Sequence, residues 1–121
     1  TSPLRSSRDI DESIECGMGS NSPACVSVCE ARESPYWMFR LDGTGRMHPV
    51  LNPPANVGTR QELEKVYKLN GAIYLAQTDY LRERKSFKTP DTMAYLMPGC
   101  RSIDIDTEQD FIYCELLLAN R

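Results

Sequence analysis

The stretch Arg101-Ser102-Ile103-Asp104-Ile105-Asp106-Thr107-Glu108-Gln109-Asp110-Phe111 constrains this chain most, because it changes period in the middle. Ile103 and Ile105 alternate with Ser102, Asp104 and Asp106, the period of two that marks a strand. Helical spacing then takes over, with Phe111, Glu115 and Leu118 on one stripe and Ile112, Leu116 and Ala119 on another. The pattern predicts a strand end running straight into a helix, with Thr107 or Asp106 as the N-cap. Residues two apart on a strand face the same way, so Asp104 and Asp106 project together. Two carboxylates at the carboxyl end of a strand suit a hard cation with oxygen ligands. That is also where open α/β sheets bind their ligands. The plainer reading of the same residues is a capping Asp106 and a solvated Asp104.

The rest of the composition bounds the function classes. With 121 residues the chain can bury one real core, and its 40% hydrophobic and 26% charged content is ordinary for a globular domain. A net charge of −3 gives no basic field for nucleic acid. No apolar run approaches the roughly 20 residues of a membrane span, and no charged-then-apolar leader opens the chain. Cysteines stand at 16, 25, 29, 100 and 114, an odd number without a Cys-x-x-Cys, beside the single histidine His48. Zinc of the usual ligand spacing is therefore not expected. Cys25 and Cys29 lie in an apolar run, where a thiol acts as a small hydrophobe. Nothing marks either as activated, and a reducing compartment, the cytoplasm, is expected.

Read in order, the chain alternates helical and strand patterns, which predicts an α/β domain. Ser6 or Ser7 caps a helix whose Ile10, Ile14 and Met18 form a stripe, read as the face laid on a sheet, and Gly17 and Gly19 end it. Ala24 to Glu30 reads as a strand buried on both faces. Leu69 to Ala76 is a second strand, with Gly71 marking a bulge or a close backbone approach. Thr78 caps a short helix, Arg82 to Lys85 is a solvated face, and Thr92 to Met97 is a third strand closed by Pro98-Gly99. There is no internal repeat.

Residues 33–59 break this layering. Tyr36-Trp37-Met38-Phe39 is followed by the turn signal Leu41-Asp42-Gly43-Thr44-Gly45-Arg46 and then by Pro49, Pro53 and Pro54. That predicts a hairpin leading into a loop. Large apolar side chains on such an excursion either cover a partner or fold back on their own domain. Gly43-Thr44-Gly45 lacks the strand–loop–helix context of a phosphate loop.

Four blocks, Thr1-Ser2-Pro3-Leu4-Arg5, Val26-Ser27-Val28-Cys29-Glu30, Asn70-Gly71-Ala72-Ile73-Tyr74 and Ser102 to Glu108, occur in this order along the whole chain. Together they resemble the acylneuraminate cytidylyltransferases. The resemblance implies a Rossmann-like nucleotide-diphospho-sugar transferase fold, of which this chain is the C-terminal part. It implies joining CTP to a nine-carbon acidic sugar, giving CMP-sugar and pyrophosphate, with magnesium required. Asp104 and Asp106 match the family's metal-binding pair. Arg60 matches an arginine that reaches the sugar in the partner subunit's site, where its fork suits a carboxylate. Tyr74 matches a sugar-contacting tyrosine, Phe87 a wall near the N-acyl group, and Asn70 a position near the site, counted with them as substrate-binding. A homodimer is implied through residues 34–68.

The chain also departs from the family. The Gly-containing CTP loop with Arg, Ser and Lys is absent, as is the glutamine that precedes the first block, so the 121-residue chain alone is expected to be inactive. Trp37 stands where some members carry a substrate-contacting lysine, which opens the choice among sialic, legionaminic and pseudaminic acids. Two other readings compete: a nucleotidyltransferase for another sugar acid, and a non-catalytic dimerising module.

Overall fold

A computed structural model describes residues 1–52 and 64–120. Two compact units emerge, one of residues 1–30 and 68–121, the other of residues 31–67.

The larger unit begins with helix α1, Ser7–Gly19. Strand β1, Ala24–Glu30, follows and is buried along most of its length. The elements after the excursion are strand β4, Tyr67–Ala76, helix α2, Thr78–Arg84, strand β5, Thr92–Leu96, and helix α3, Glu108–Ala119. β1 sits at the centre of a three-stranded sheet of order β4-β1-β5. It runs parallel to β5, from Ala24 opposite Thr92 to Val28 opposite Leu96. Against β4 it runs antiparallel. The Gln77 N–H donates to Pro23 O at 2.8 Å, and four residues inward on each strand the Ile73 N–H donates to Ser27 Oγ at 2.8 Å. The class is mixed α/β, as the alternating patterns predict.

Cys25, Ala72, Ile73, Tyr95 and Met97 form the core, with Cys16 and Leu75 packed against it. All five cysteines are free. Burial pushes the Cys25 thiol up to about 11, and the neighbouring Cys16 adds to the effect, so this thiol is inert at neutral pH.

Besides the cap of α2, which is Gln77 without a side-chain bond and not Thr78, the first helical residue, two expectations need correction. Ile10, Ile14 and Met18 are not the packed face of α1: all three are exposed, Met18 by 77%. The buried side chains of α1 are Asp9 and Ser13, because Asp9 is taken up by an ion pair described below. The second concerns residues 102–106, which belong to neither sheet. β5 ends at Leu96, a 3-10 turn occupies Gly99–Arg101, and the chain then runs irregularly to α3. The alternation survives without a ladder: Ile103 and Ile105 are half-buried while Asp104 and Asp106 are exposed.

The smaller unit carries the predicted hairpin, β2, Phe39–Leu41, against β3, Met47–Pro49, with Arg40 opposite His48. Asp42 organises its turn, accepting from the N–H groups of Thr44 at 2.8 Å and Arg46 at 3.0 Å. Gly45 takes φ +84°, a left-handed conformation suited to glycine. The Ala31 N–H bonds Val66 O at 2.9 Å and ties the ends of the excursion. Trp37, Met38, Phe39, Leu41 and Met47 are exposed. Among the described residues, no helix is long and apolar enough to cross a membrane.

Candidate functional site

Asp104 lies against the backbone of β4. Gly71 has φ +71°, and a Cβ built there would stand 3.1 Å from Asp104 Oδ2. Of the two sequence readings of this glycine, the close approach holds: the Asp104 carboxylate stands directly over it. Arg5 donates from its guanidinium to the Ala72 carbonyl beside this point.

Asp106 is not the helix cap. Thr107 is, accepting from the Asp110 N–H, while the Asp110 side chain returns bonds to the backbone of Thr107 and Asp106. The carboxylate of Asp106 is thus not spent on capping.

Three side-chain ties hold the segment in place of a ladder. Arg101 forks onto Asp9, Nε to Oδ2 at 3.0 Å and Nη2 to Oδ1 at 2.6 Å. Asn70 is buried and donates from Nδ2 to Ser102 Oγ at 2.9 Å and to Met97 Sδ at 3.4 Å. Its Oδ1 accepts from Ser27 Oγ at 2.6 Å and from the Ala72 N–H at 3.2 Å. All four hydrogen-bonding positions of the amide are spent inside the protein. Ser102 Oγ donates in turn to Pro98 O at 2.9 Å.

Asp9 is fully buried and well satisfied. Ser6 gives it both its hydroxyl, at 2.6 Å, and its backbone N–H, at 2.9 Å, and the Tyr95 hydroxyl lies 3.3 Å from its Oδ1 and 2.7 Å from Glu12 Oε2. The Arg101 guanidinium, followed by these Ser6 bonds, holds its carboxyl well below the usual carboxylate range against the opposing effect of burial.

Tyr74, expected to contact the sugar, and Phe87, expected as a wall near the N-acyl group, meet edge to face with ring centroids 5.5 Å apart. Tyr74 is exposed and Phe87 half-buried. The loop bearing Phe87 is fixed by its neighbours. Thr92 Oγ1 donates to Phe87 O at 2.7 Å, and Tyr80 bonds Thr89 and reaches Asp91 Oδ2 at 3.2 Å. Arg60 lies outside the described residues.

Asp9, Arg101, Ser27 and Ser102 escaped the sequence reading. No local signal marks Asp9 or Arg101 as partners, since they stand 92 residues apart. Ser27, a polar residue in an otherwise apolar strand, was the one legible hint.

Among curated proteins, the chain is 37% identical over 114 residues to an N-acylneuraminate cytidylyltransferase of Streptococcus agalactiae, covering 93% of this chain and 27% of that protein. It is 32% identical over 120 residues to a CMP-N,N'-diacetyllegionaminic acid synthase of Legionella pneumophila, covering 98% of this chain and 50% of that protein. A post-translational flagellin modification protein B of Campylobacter coli is 29% identical over 121 residues, covering all of this chain and 51% of its own length. The chain thus spans about half, or less, of the length of these relatives. No protein-family model matches.

Proposed function

Since the chain belongs to the acylneuraminate cytidylyltransferase family, we propose that it forms part of an enzyme that joins CTP to a nine-carbon acidic sugar and releases pyrophosphate. The observation that carries this reading is the exposed pair Asp104 and Asp106, the first of them seated over Gly71 on the strand that also bears Tyr74. The Rossmann-like nucleotide-sugar transferase fold belongs to the same proposal, supported by the mixed sheet with parallel β1 and β5.

The donor set fits magnesium. Among the described residues no cluster of three or more His, Cys, Asp and Glu could hold a metal. Magnesium asks for fewer, taking one or two carboxylates and filling its other positions with water and substrate phosphates. Asp104 and Asp106 would hold the ion, whose chemistry is to neutralise charge developing on the phosphates as the sugar hydroxyl attacks. The chain's own residues have the remaining work. Tyr74 and Phe87 present an apolar wall to the acyl group of the sugar, and their contact keeps each ring in one orientation. Asn70 holds the carboxylate segment through Ser102 and does not itself touch substrate. Arg60 binds the sugar carboxylate, reaching it from a second subunit joined through residues 34–68. Trp37 on that excursion biases the choice among sugars toward acylated or deoxygenated faces.

The test is made in the full-length enzyme. Asp104→Asn or Asp106→Asn should abolish magnesium-dependent pyrophosphate release from CTP and the sugar acid, with an unchanged circular dichroism spectrum. Wild-type turnover in either variant at saturating magnesium would remove the metal assignment. The 121-residue chain, spanning about half or less of its relatives' length, should release no pyrophosphate.

A further inference from the structure

We propose that Asp9, acting through Arg101, is a positioning residue for the carboxylate segment Asp104–Asp106. The inference rests on the metal reading above.

A comparison of the two capping boxes in this chain makes the case. At α3, Thr107 and Asp110 close a box in the open, and among the described residues no ion pair accompanies it. At α1, Ser6 and Asp9 close the same kind of box, yet Asp9 is 0% exposed and carries the Arg101 fork as well. Capping a helix therefore does not require the burial or the arginine. A buried carboxylate is retained against its desolvation only when its partner is fixed with good geometry, and two parallel N–H···O bonds fix a guanidinium in both position and plane. What is fixed here is the end of the Gly99–Arg101 turn, three residues ahead of Asp104.

That location matters because residues 102–106 have no strand neighbour to hold them. The course of the backbone is set by its first two side chains, Arg101 on Asp9 and Ser102 on Asn70. Farther along, a backbone bond from the Ile105 N–H to Thr1 O at 2.8 Å takes over. Asp9 is the anchor with the deepest burial, and it belongs to α1, an element that reaches the sheet independently through Cys16. The α1 helix thereby sets the course of the segment that carries both carboxylates.

The experiment measures two things on the 121-residue chain: amide hydrogen exchange, and Mn2+ affinity by water-proton relaxation. Arg101→Met should speed exchange at Ser102 and Ile105 while β1 and β5 keep their protection. It should also weaken Mn2+ binding about tenfold, the scale seen when groups supporting a metal's ligands are removed. Arg101→Lys, which keeps the charge but not the fork, should recover part of both effects. The double variant Asp9→Asn with Arg101→Met removes the buried charge along with its partner. It serves if the single variant does not fold, and it should show the same fast exchange. Unchanged exchange at Ser102 and Ile105 in both Arg101→Met and the double variant would overturn the proposal. Asp104→Asn separates the two readings. Should it leave Mn2+ affinity unaltered while Arg101→Met still speeds exchange, the metal assignment falls and the positioning role stands.

Discussion

Gly71 illustrates how a single residue is constrained from two directions. Its φ of +71° is a conformation that costs a side-chain-bearing residue roughly 1–2 kcal/mol. A Cβ at that point would also press on Asp104 Oδ2 from 3.1 Å. Gly71→Ala should therefore lower stability by about 1–2 kcal/mol in urea unfolding and displace Asp104, reducing metal affinity together with stability. An alanine variant as stable as the parent would mean the strand relaxes freely at this position. Asp9 yields a second expectation, through pH. Its carboxyl is held below the ordinary range chiefly by Arg101, so the folded state binds the proton more weakly than the unfolded state does. The resulting stability is complete above the unfolded pKa of about 4 and is lost as pH falls toward the folded value. Urea midpoints followed from pH 7 downward should fall below about pH 4 in the parent. Asp9→Asn should be less stable at pH 7 and show a flatter acid limb. Parallel curves would assign that limb to other depressed carboxylates, such as Asp42 and Asp110, which sit at exposed turns and caps.

At the scale of elements, most helices and strands were legible because their signals are local. Ser6 caps α1 and the Ala24–Glu30 run is β1. Asp42 to Gly45 is a hairpin turn. Two failures share one cause. Period-two alternation reports which side chains turn inward, and it does so correctly from Ile103 to Asp106 but not at Ser102, which is half-buried against Asn70. It carries no information about a hydrogen-bonded neighbour, and here there is none. The stripe Ile10, Ile14, Met18 likewise assumes that the most apolar face packs. An aspartate with a partner 92 residues away overrides it. In the candidate site, Asp104, Tyr74 and Phe87 are named by the resemblance alone, whereas the ties through Arg101, Ser102 and Ser27 depend on long-range packing. The two capping boxes permit a quantitative check on this view. Thr107→Ala should cost about 1 kcal/mol, the usual loss for a cap. Ser6→Ala should cost more, because Ser6 also supplies a hydroxyl to the buried Asp9 at 2.6 Å and a buried acceptor left short of a donor is expensive. Thermal unfolding of the two variants side by side decides it; equal losses would mean that Asp9 finds another donor.

On the scale of the whole molecule, two apolar surfaces besides the exposed stripe of α1 have no cover among the described residues, one in each unit. In the larger unit, α3 exposes Phe111, Ile112, Tyr113, Leu116 and Leu118, and only Cys114 of its side chains is buried. In the smaller, the hairpin exposes Trp37, Met38, Phe39, Leu41 and Met47. Either could mediate self-association, and the family reading selects the hairpin. A two-fold contact requires one patch to complement itself, and a stable interface hides roughly 800 Å² on each partner around a few aromatic anchors. Trp37 and Phe39 are the aromatic anchors available there, on a segment whose turn is fixed by Asp42 and Gly45. Sedimentation at micromolar concentration should therefore show a dimer. Trp37→Ala combined with Phe39→Asp should convert it to monomer, because a carboxylate at the centre of an apolar interface is desolvated without a partner. Ile112→Asp combined with Leu116→Asp on α3 should leave the dimer intact. The reverse pattern, with the α3 pair dissociating the dimer and the hairpin pair leaving it alone, would move the interface to α3. It would also count against the proposal that Arg60 serves a neighbouring subunit's site.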